Sequence, residues 1–452
     1  MLPPSRRRHP RPPPGRRAVD GPHAPGVGAA SLPPRPLRSR GVPLLRTLGH
    51  RSGPRPPAGR GARLPRLGGR PAPRAVAARG ARRASEPTHC HLPRLAAGRR
   101  SEDLMTRPPP PFVSVIVPCR NEEQHLGRCL ESILASDYPH DRMELLVVDG
   151  MSSDRTRDIV ASYAARHPMI RLLDNPRLIA PCALNLGIQA ARGEVILRMD
   201  AHVIYLPSYL PILVHALLER GADNVGGVLE TLPGADTAVA RAIALGLSHR
   251  FGVGNSYFRV GASQPRWVDT VAFGCFRREA FERAGLFDEE LVRNQDDEFN
   301  YRLIRRGGRV LLMPTARAYY VARKSLRQLW RMYFQYGYFK PLVARKVGRV
   351  MTLRQLVPSL FLTALAASGL AAVWWRPAAL AGAGLAAAYA AALLAAGAAA
   401  VPRHGPRVAA ALALVFPVLH VAYGVGFLLG LRDHLLRPRK QMPELSALPM
   451  SR

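Results

Sequence analysis

The nine residues 194–202, EVILRMDAH, constrain this chain more than any others. A short apolar run, residues 195–199, ends abruptly in an acid, one small residue and an imidazole. Physically this is a buried strand that carries Asp200 and His202 to the carboxyl edge of a sheet. Residues two apart share a side of an extended chain, so both side chains can point into one cleft. An acid and an imidazole placed there suit a divalent cation that also holds a diphosphate, because Mg²⁺ is commonly bound through one or two carboxylates plus substrate phosphates. A strand followed by a polar turn is the plainer reading of so short a pattern. The surrounding sequence decides between them.

Upstream, residues 113–117 (VSVIV) predict a buried strand ending at Pro118, followed by Asn121 and Glu122. Residues 125–134 carry helical spacing. A second strand, 144–148, ends at Asp149, and Ser153 or Asp154 is placed to cap a helix running to about residue 165. A third strand covers 170–173. Residues 181–192 predict a helix bearing Asn185, another candidate for the same cleft. Strands alternating with helices imply right-handed crossovers and a largely parallel sheet, whose ligands bind beyond the strand carboxyl ends. Asn121 and Glu122, Asp149, and Asp200 all fall at such ends, and three ends turning polar together is a stronger signal than any one.

Further on, 224–230 is expected as a strand, 236–249 as a helix, and 310–313 as another strand. Between them Asp296, Asp297 and Glu298 open a helix. Acids favour a helix N-terminus through its dipole. A carboxylate among other carboxylates also has its pKa raised toward that of a useful general base. Residues 323–350 form a basic, aromatic, amphipathic segment of the kind that lies on a membrane surface. Three uncharged apolar runs follow, 357–375, 378–401 and 408–431, each with the roughly 20 residues that cross a bilayer. Basic residues precede the first run and follow the last. An odd number of crossings cannot put both on the same side, so one run is expected to be re-entrant or interfacial.

Charge is concentrated in one place. Residues 1–100 hold 23 arginines, no lysine, and only Asp20 and Glu86 as acids, which accounts for 21 of the 34 net positive charges. This Arg/Pro-rich stretch, to about residue 110, cannot bury enough apolar surface to offset its ordering entropy. It reads as a disordered tail or as upstream sequence that is not translated, with Met105 as the start. Without an aromatic platform or a fold to present one, specific nucleic-acid binding is not expected. The five cysteines form no C-x-x-C pair and are odd in number, so neither a zinc site nor a disulfide framework is indicated. A reducing, cytosol-facing location follows.

Residues 113–118 with Asn121 and Glu122, residues 147–150 with Ser152, Asp154 and Thr156, residues 199–202, and residues 295–298 with Arg302 occur in an order that resembles the family 2 glycosyltransferases. The likeness is greatest to membrane-bound enzymes of succinoglycan-type exopolysaccharide synthesis, and it spans about residues 112–345. It implies a GT-A fold (α/β, Rossmann-like, with a mostly parallel sheet) followed by transmembrane helices. It also implies an inverting mechanism and a nucleotide-sugar donor, usually UDP-linked, used with Mg²⁺ or Mn²⁺. By position, Pro118, Asn121, Glu122 and Asp149 would line the nucleoside pocket. Asp200 and His202 would hold metal and diphosphate, and Asp296 would be the base, with Asp297 beside it. His202 stands where the usual D-x-D has an acid, and Gln295 where a glutamate is usual. The Q-x-x-R-W motif of processive synthases is missing, so one sugar is expected per encounter. Arg323, Lys324 and Arg327 are possible helpers for the leaving diphosphate.

The leading expectation is therefore a glycosyltransferase in the cell membrane with a cytoplasmic catalytic domain at residues 111–322. It would act on a lipid-linked or saccharide acceptor in cell-surface polysaccharide assembly. A polyprenyl-phosphate sugar synthase, whose acceptor is a phosphate and needs no strong base, and a non-catalytic membrane scaffold are the alternatives.

Overall fold

The computed structural model describes residues 109–350 and 352–436. The Arg/Pro-rich tail with its expected start at Met105, and the basic residues from 437 on, lie outside the described residues.

Apolar runs form four strands; those at 113–119, 143–149 and 195–198 are covered on both faces, while the one at 170–174 lies at the sheet edge and is partly exposed. These are β1 (Val113–Cys119), β2 (Met143–Asp149), β3 (Ile170–Asp174) and β4 (Val195–Arg198). They pair in parallel in the order β3-β2-β1-β4. The crossovers are α1 (Leu126–Leu134), α2 (Thr156–Ala164) and α3 (Ala180–Ala190). Asp154 Oδ1 accepts the Thr156 N–H at the start of α2, at 3.0 Å.

The sheet then changes character. β5 (Val203–Tyr205), α4 (Tyr209–Glu219), β6 (Asn224–Leu232), α5 (Ala238–Ser248), α6 (Arg250–Val253), α7 (Tyr257–Val260), β7 (Arg266–Trp267), β8 (Cys275–Arg277), α8 (Arg278–Ala284), α9 (Gln295–Arg305) and β9 (Val310–Val321) complete it. The nine strands run β3-β2-β1-β4-β8-β6-β9-β5, with β7 on β9. β8 is antiparallel to both β4 and β6, so the sheet is parallel through its first four strands and mixed beyond them. β9 is far longer than the 310–313 run suggests. It continues through Pro314 because its register against β6 breaks between Leu312 and Arg317, where a missing N–H costs no ladder bond.

Four helices follow: α10 (Leu326–Val347), α11 (Val357–Ala371), α12 (Arg376–His404) and α13 (Pro406–Leu431). α10 is two-faced, with Arg327, Trp330 and Arg331 exposed on one side. Its aromatic face is buried against α13, and Lys340 is only 7% exposed. Glycines set this contact. A Cβ on Gly337 would stand 2.0 Å from the Tyr423 carbonyl oxygen, one on Gly426 2.2 Å from that of Phe334, and one on Gly430 2.1 Å from that of Tyr338. α11 is the shortest of the three apolar helices α11–α13. Its 15 residues span about 22 Å, short of a hydrocarbon core of about 30 Å. Two helices, α12 and α13, are long and apolar enough to cross.

Gly337→Ala and Gly426→Ala are expected to push α10 and α13 apart, a strain typically worth about 1–3 kcal/mol. Gly369→Ala, with nothing within 4 Å, should be neutral. Thermal unfolding of the detergent-solubilised protein checks this, and equal melting temperatures for all three variants would refute the close-packing account.

Candidate functional site

A cavity of about 790 Å³ opens at the carboxyl edge of the parallel strands and continues toward α11, α12 and α13. Pro118, Asn121, Glu122, Asp200, His202, Asp296 and Asp297 all line it. Residues from three separate chain segments thus meet in one place.

At its centre is Arg198, the last residue of β4, with a side chain only 8% exposed. Its Nε donates to Asp200 Oδ1 at 2.9 Å and its Nη2 to Asp200 Oδ2 at 3.2 Å. Its Nη1 donates to Asp296 Oδ1, a residue 98 positions away. One buried guanidinium therefore joins the two carboxylates. Sequence reasoning absorbed this arginine into an apolar run. The signal was there to be read, since a lone cation inside a buried strand needs an anionic partner.

Successive residues on a helix point about 100° apart, and the three acids that open α9 diverge accordingly. Asp296 faces Arg198, Asp297 pairs with Lys340, and Glu298 pairs with Arg302 four residues on. Their environments push two of them in opposite directions. Burial raises Asp296 to about 6, opposed by Arg198 and reinforced by Asp200 and Asp297. Burial acts on Asp297 too, but Lys340 and Thr270 outweigh it and hold that carboxyl below its ordinary value.

The first-strand loop is shaped from β2. Asn121, in the left-handed region at φ 54, donates its N–H to Ser152 Oγ at 2.8 Å and accepts from Ser153 N at 2.9 Å. Ser152 N in turn donates to Asp149 at 3.0 Å. Asp149 itself is fully buried and salt-bridged to Arg157 at 2.9 Å, behind the Asn121 turn that lines the cavity. Asn185 is buried in α3, where its amide bonds the Phe287 backbone and Glu289 and so fastens the 285–290 loop. Of five non-glycine residues with positive φ among the described residues, Asn121, Leu178, Phe273 and Asn294 line the cavity. Such backbone costs roughly 1–3 kcal/mol each and collects where geometry is functional.

For a divalent cation the wall offers the Asp200 carboxylate and the His202 imidazole, whose Nδ1 lies 3.4 Å from Glu122 Oε1. Among the described residues no group of three or more His, Cys, Asp or Glu is disposed to hold a metal. Two donors do not make a closed structural site, but they fit a cation whose remaining ligands come from a diphosphate.

A mixed sheet with acids at its carboxyl edge, joined to a second carboxylate on a later helix, defines a GT-A transferase. The sequence agrees. Residues 114–285 match the Glycosyl transferase family 2 profile. The succinoglycan biosynthesis protein ExoA of Rhizobium meliloti is 30% identical over 315 residues, covering 69% of this chain and 93% of that protein. A dolichyl N-acetyl-alpha-D-glucosaminyl phosphate 3-beta-D-2,3-diacetamido-2,3-dideoxy-beta-D-glucuronosyltransferase of Methanococcus voltae is 27% identical over 243 residues, 52% of this chain and 74% of its own. Among solved structures, a mannosyltransferase of Pyrobaculum calidifontis aligns with a TM-score of 0.46 and 23% identity, over 71% of this chain and 92% of that one. The chain belongs to glycosyltransferase family 2 and is a transferase.

Arg198→Met would leave both carboxylates buried without their cation, a loss on the order of 3–5 kcal/mol at neutral pH. Carboxylates whose folded pKa is raised bind protons more readily folded than unfolded, so stability returns as pH falls through the folded value. The melting temperature of the variant should therefore lie further below wild type at pH 8 than at pH 5. An equal deficit at both would show that the pair does not carry the charge balance.

Proposed function

We propose that this chain is an inverting glycosyltransferase. It moves a sugar from a nucleotide-sugar, UDP-linked, to a hydroxyl of a lipid-linked or saccharide acceptor in cell-surface polysaccharide assembly. The observation that carries this is the bridging of Asp200 and Asp296 by Arg198 in one cavity, since the reaction needs one acid at the leaving diphosphate and another at the acceptor. The names of the two relatives, succinoglycan biosynthesis and dolichyl-linked sugar transfer, support a lipid-borne polysaccharide as product.

In this reading Pro118, Asn121 and Glu122 wall the nucleoside, and Asp149 acts through Ser152 to hold the Asn121 turn. Asp200 and His202 would hold Mg²⁺ or Mn²⁺, which would neutralise charge on the departing nucleoside diphosphate. Asp296 takes the proton of the acceptor hydroxyl as that oxygen attacks the anomeric carbon from the face opposite the leaving group. A carboxyl near 6 is mostly ionised at neutral pH yet more basic than an ordinary aspartate, which suits a general base. Asp297, neutralised by Lys340, braces α9 against α10. If α12 and α13 cross and α11 does not, the chain returns to its starting side. The basic residues before and after the helices then both face the cytoplasm with the catalytic domain.

Asp296→Asn is expected to lower turnover roughly 10²–10⁴-fold while leaving nucleotide affinity intact. The acidic limb of the wild-type pH profile should fall away below about pH 6, as Asp296 takes up its proton. Near-normal turnover in Asp296→Asn would overturn the base and point to a phosphate acceptor that needs none. Affinity for UDP, measured by thermal stabilisation, should drop on chelation with EDTA and in Asp200→Asn. Binding that ignores both would remove the metal from the reading.

A further inference from the structure

The cavity extends from the carboxylates to the apolar helices, and its lining differs in chemistry from one to the other. Past the carboxylates it is walled by Val357 and Phe361 of α11, Tyr389 of α12 and Leu419 of α13, side chains belonging to apolar helices. Arginines line the same wall, among them Arg250, Arg259, Arg323 and Arg354. Arg354 is paired with Asp269 at 3.0 Å. Arg250, Arg259 and Arg323 form no salt bridge among the described residues. Arg259 Nη1 and Arg323 Nε are shielded from solvent and lack any hydrogen-bond partner. A shielded guanidinium nitrogen left unpaired in the protein alone is costly, and a bound anion removes that cost.

The position of this cationic belt is fixed from both sides. Arg259 lies over the Tyr320 ring at 5.1 Å, and the same ring meets His202 edge-on at 5.6 Å between centroids, so Arg259 sits one ring away from the candidate metal donor. On the other side, His420 of α13 bonds the Tyr389 hydroxyl and the Phe251 carbonyl, each at 2.8 Å. That chain locks α6, and with it Arg250, to the two helices long enough to cross a membrane. Polar groups inside apolar helices mark functional positions more often than filler.

From carboxylates, unpaired cations and apolar helices sharing one cavity we infer a binding site for a lipid phosphate: Arg250, Arg259 and Arg323 grip a phosphate or diphosphate whose hydrocarbon chain runs between α11, α12 and α13. The site rests on the transferase reading above and names its acceptor class, a sugar carried on a lipid phosphate, with the sugar hydroxyl presented to Asp296. Diphosphate chemistry is shared with the nucleotide donor, so the two sources must be told apart.

Calorimetry on the full chain in dodecyl maltoside micelles does so, with farnesyl phosphate, farnesol, inorganic phosphate and UDP as probes. Charge-assisted contacts predict that farnesyl phosphate binds about tenfold or more tightly than farnesol or inorganic phosphate. The double variant Arg250→Gln/Arg259→Gln should weaken farnesyl phosphate by a similar factor and leave UDP unchanged. Arg259→Lys, which keeps the charge and guards against a folding artefact, should retain most of the affinity. Equal binding of farnesol and farnesyl phosphate would overturn the site, leaving only an apolar crevice. A parallel loss of UDP affinity in the double variant would overturn it too, assigning the arginines to the donor. Selective farnesyl phosphate binding in a wild-type chain that binds neither UDP nor GDP would support the site and overturn the nucleotide-sugar transferase reading instead.

Discussion

The active centre depends on one buried guanidinium. Without Arg198, the carboxylates of Asp200 and Asp296 would share a water-poor cavity with no cation between them, and like charges in such a place force protonation or separation. With it, two acids from distant parts of the chain occupy one site at neutral pH. The arrangement also explains why β4 ends where it does. Arg198 is its final paired residue, and the backbone then turns so that Asp200 can curl back onto the same guanidinium.

The second constraint is mechanical. α9 presents Asp296 to the cavity, and α9 is held by α10 through Lys340 on Asp297 and through the Asn294 amide on the Tyr336 carbonyl at 2.9 Å. α10 is in turn pressed onto α13 at glycines whose added Cβ would strike backbone. The position of the second carboxylate is therefore set by packing against an apolar helix, not by the sheet alone. A chain of contacts from α13 to Asp296 gives the apolar helices a structural part in building the site, whatever they also do in a bilayer.

Much of this was legible beforehand. β1, β2 and β4 announced themselves as apolar runs, their ends turned polar, and four spaced motifs pointed to the family. The parts that escaped have physical reasons. β8 is three residues long and antiparallel, too short to show a period of its own. β9 runs through a proline because a register break spares the missing donor. Asn185 looked like a ligand residue because a lone amide on a helix carries no mark of where it points, and here the 285–290 loop claims it. α10 is amphipathic, with Arg327 and Arg331 exposed, but its spacing does not show that Lys340 is taken up by an acid from α9. Periodicity reports which face is apolar. It does not report what covers it.

The imidazole at position 202 sets the charge balance at the corner it shares with Glu122. Glu122 is 5% exposed and its Oε1 lies 3.4 Å from His202 Nδ1. A carboxylate at 202 would set two like charges at that spacing, and unit charges 4 Å apart repel by about 4 kcal/mol at an effective dielectric of 20. Asp200 and Asp296 already hold one negative charge more than Arg198 cancels. A third and fourth acid would leave the free protein with a concentration of negative charge that only a tightly held cation could relieve. An imidazole at 202 adds no negative charge beside Glu122, whose Oε1 it faces at 3.4 Å, and so spares the corner that repulsion.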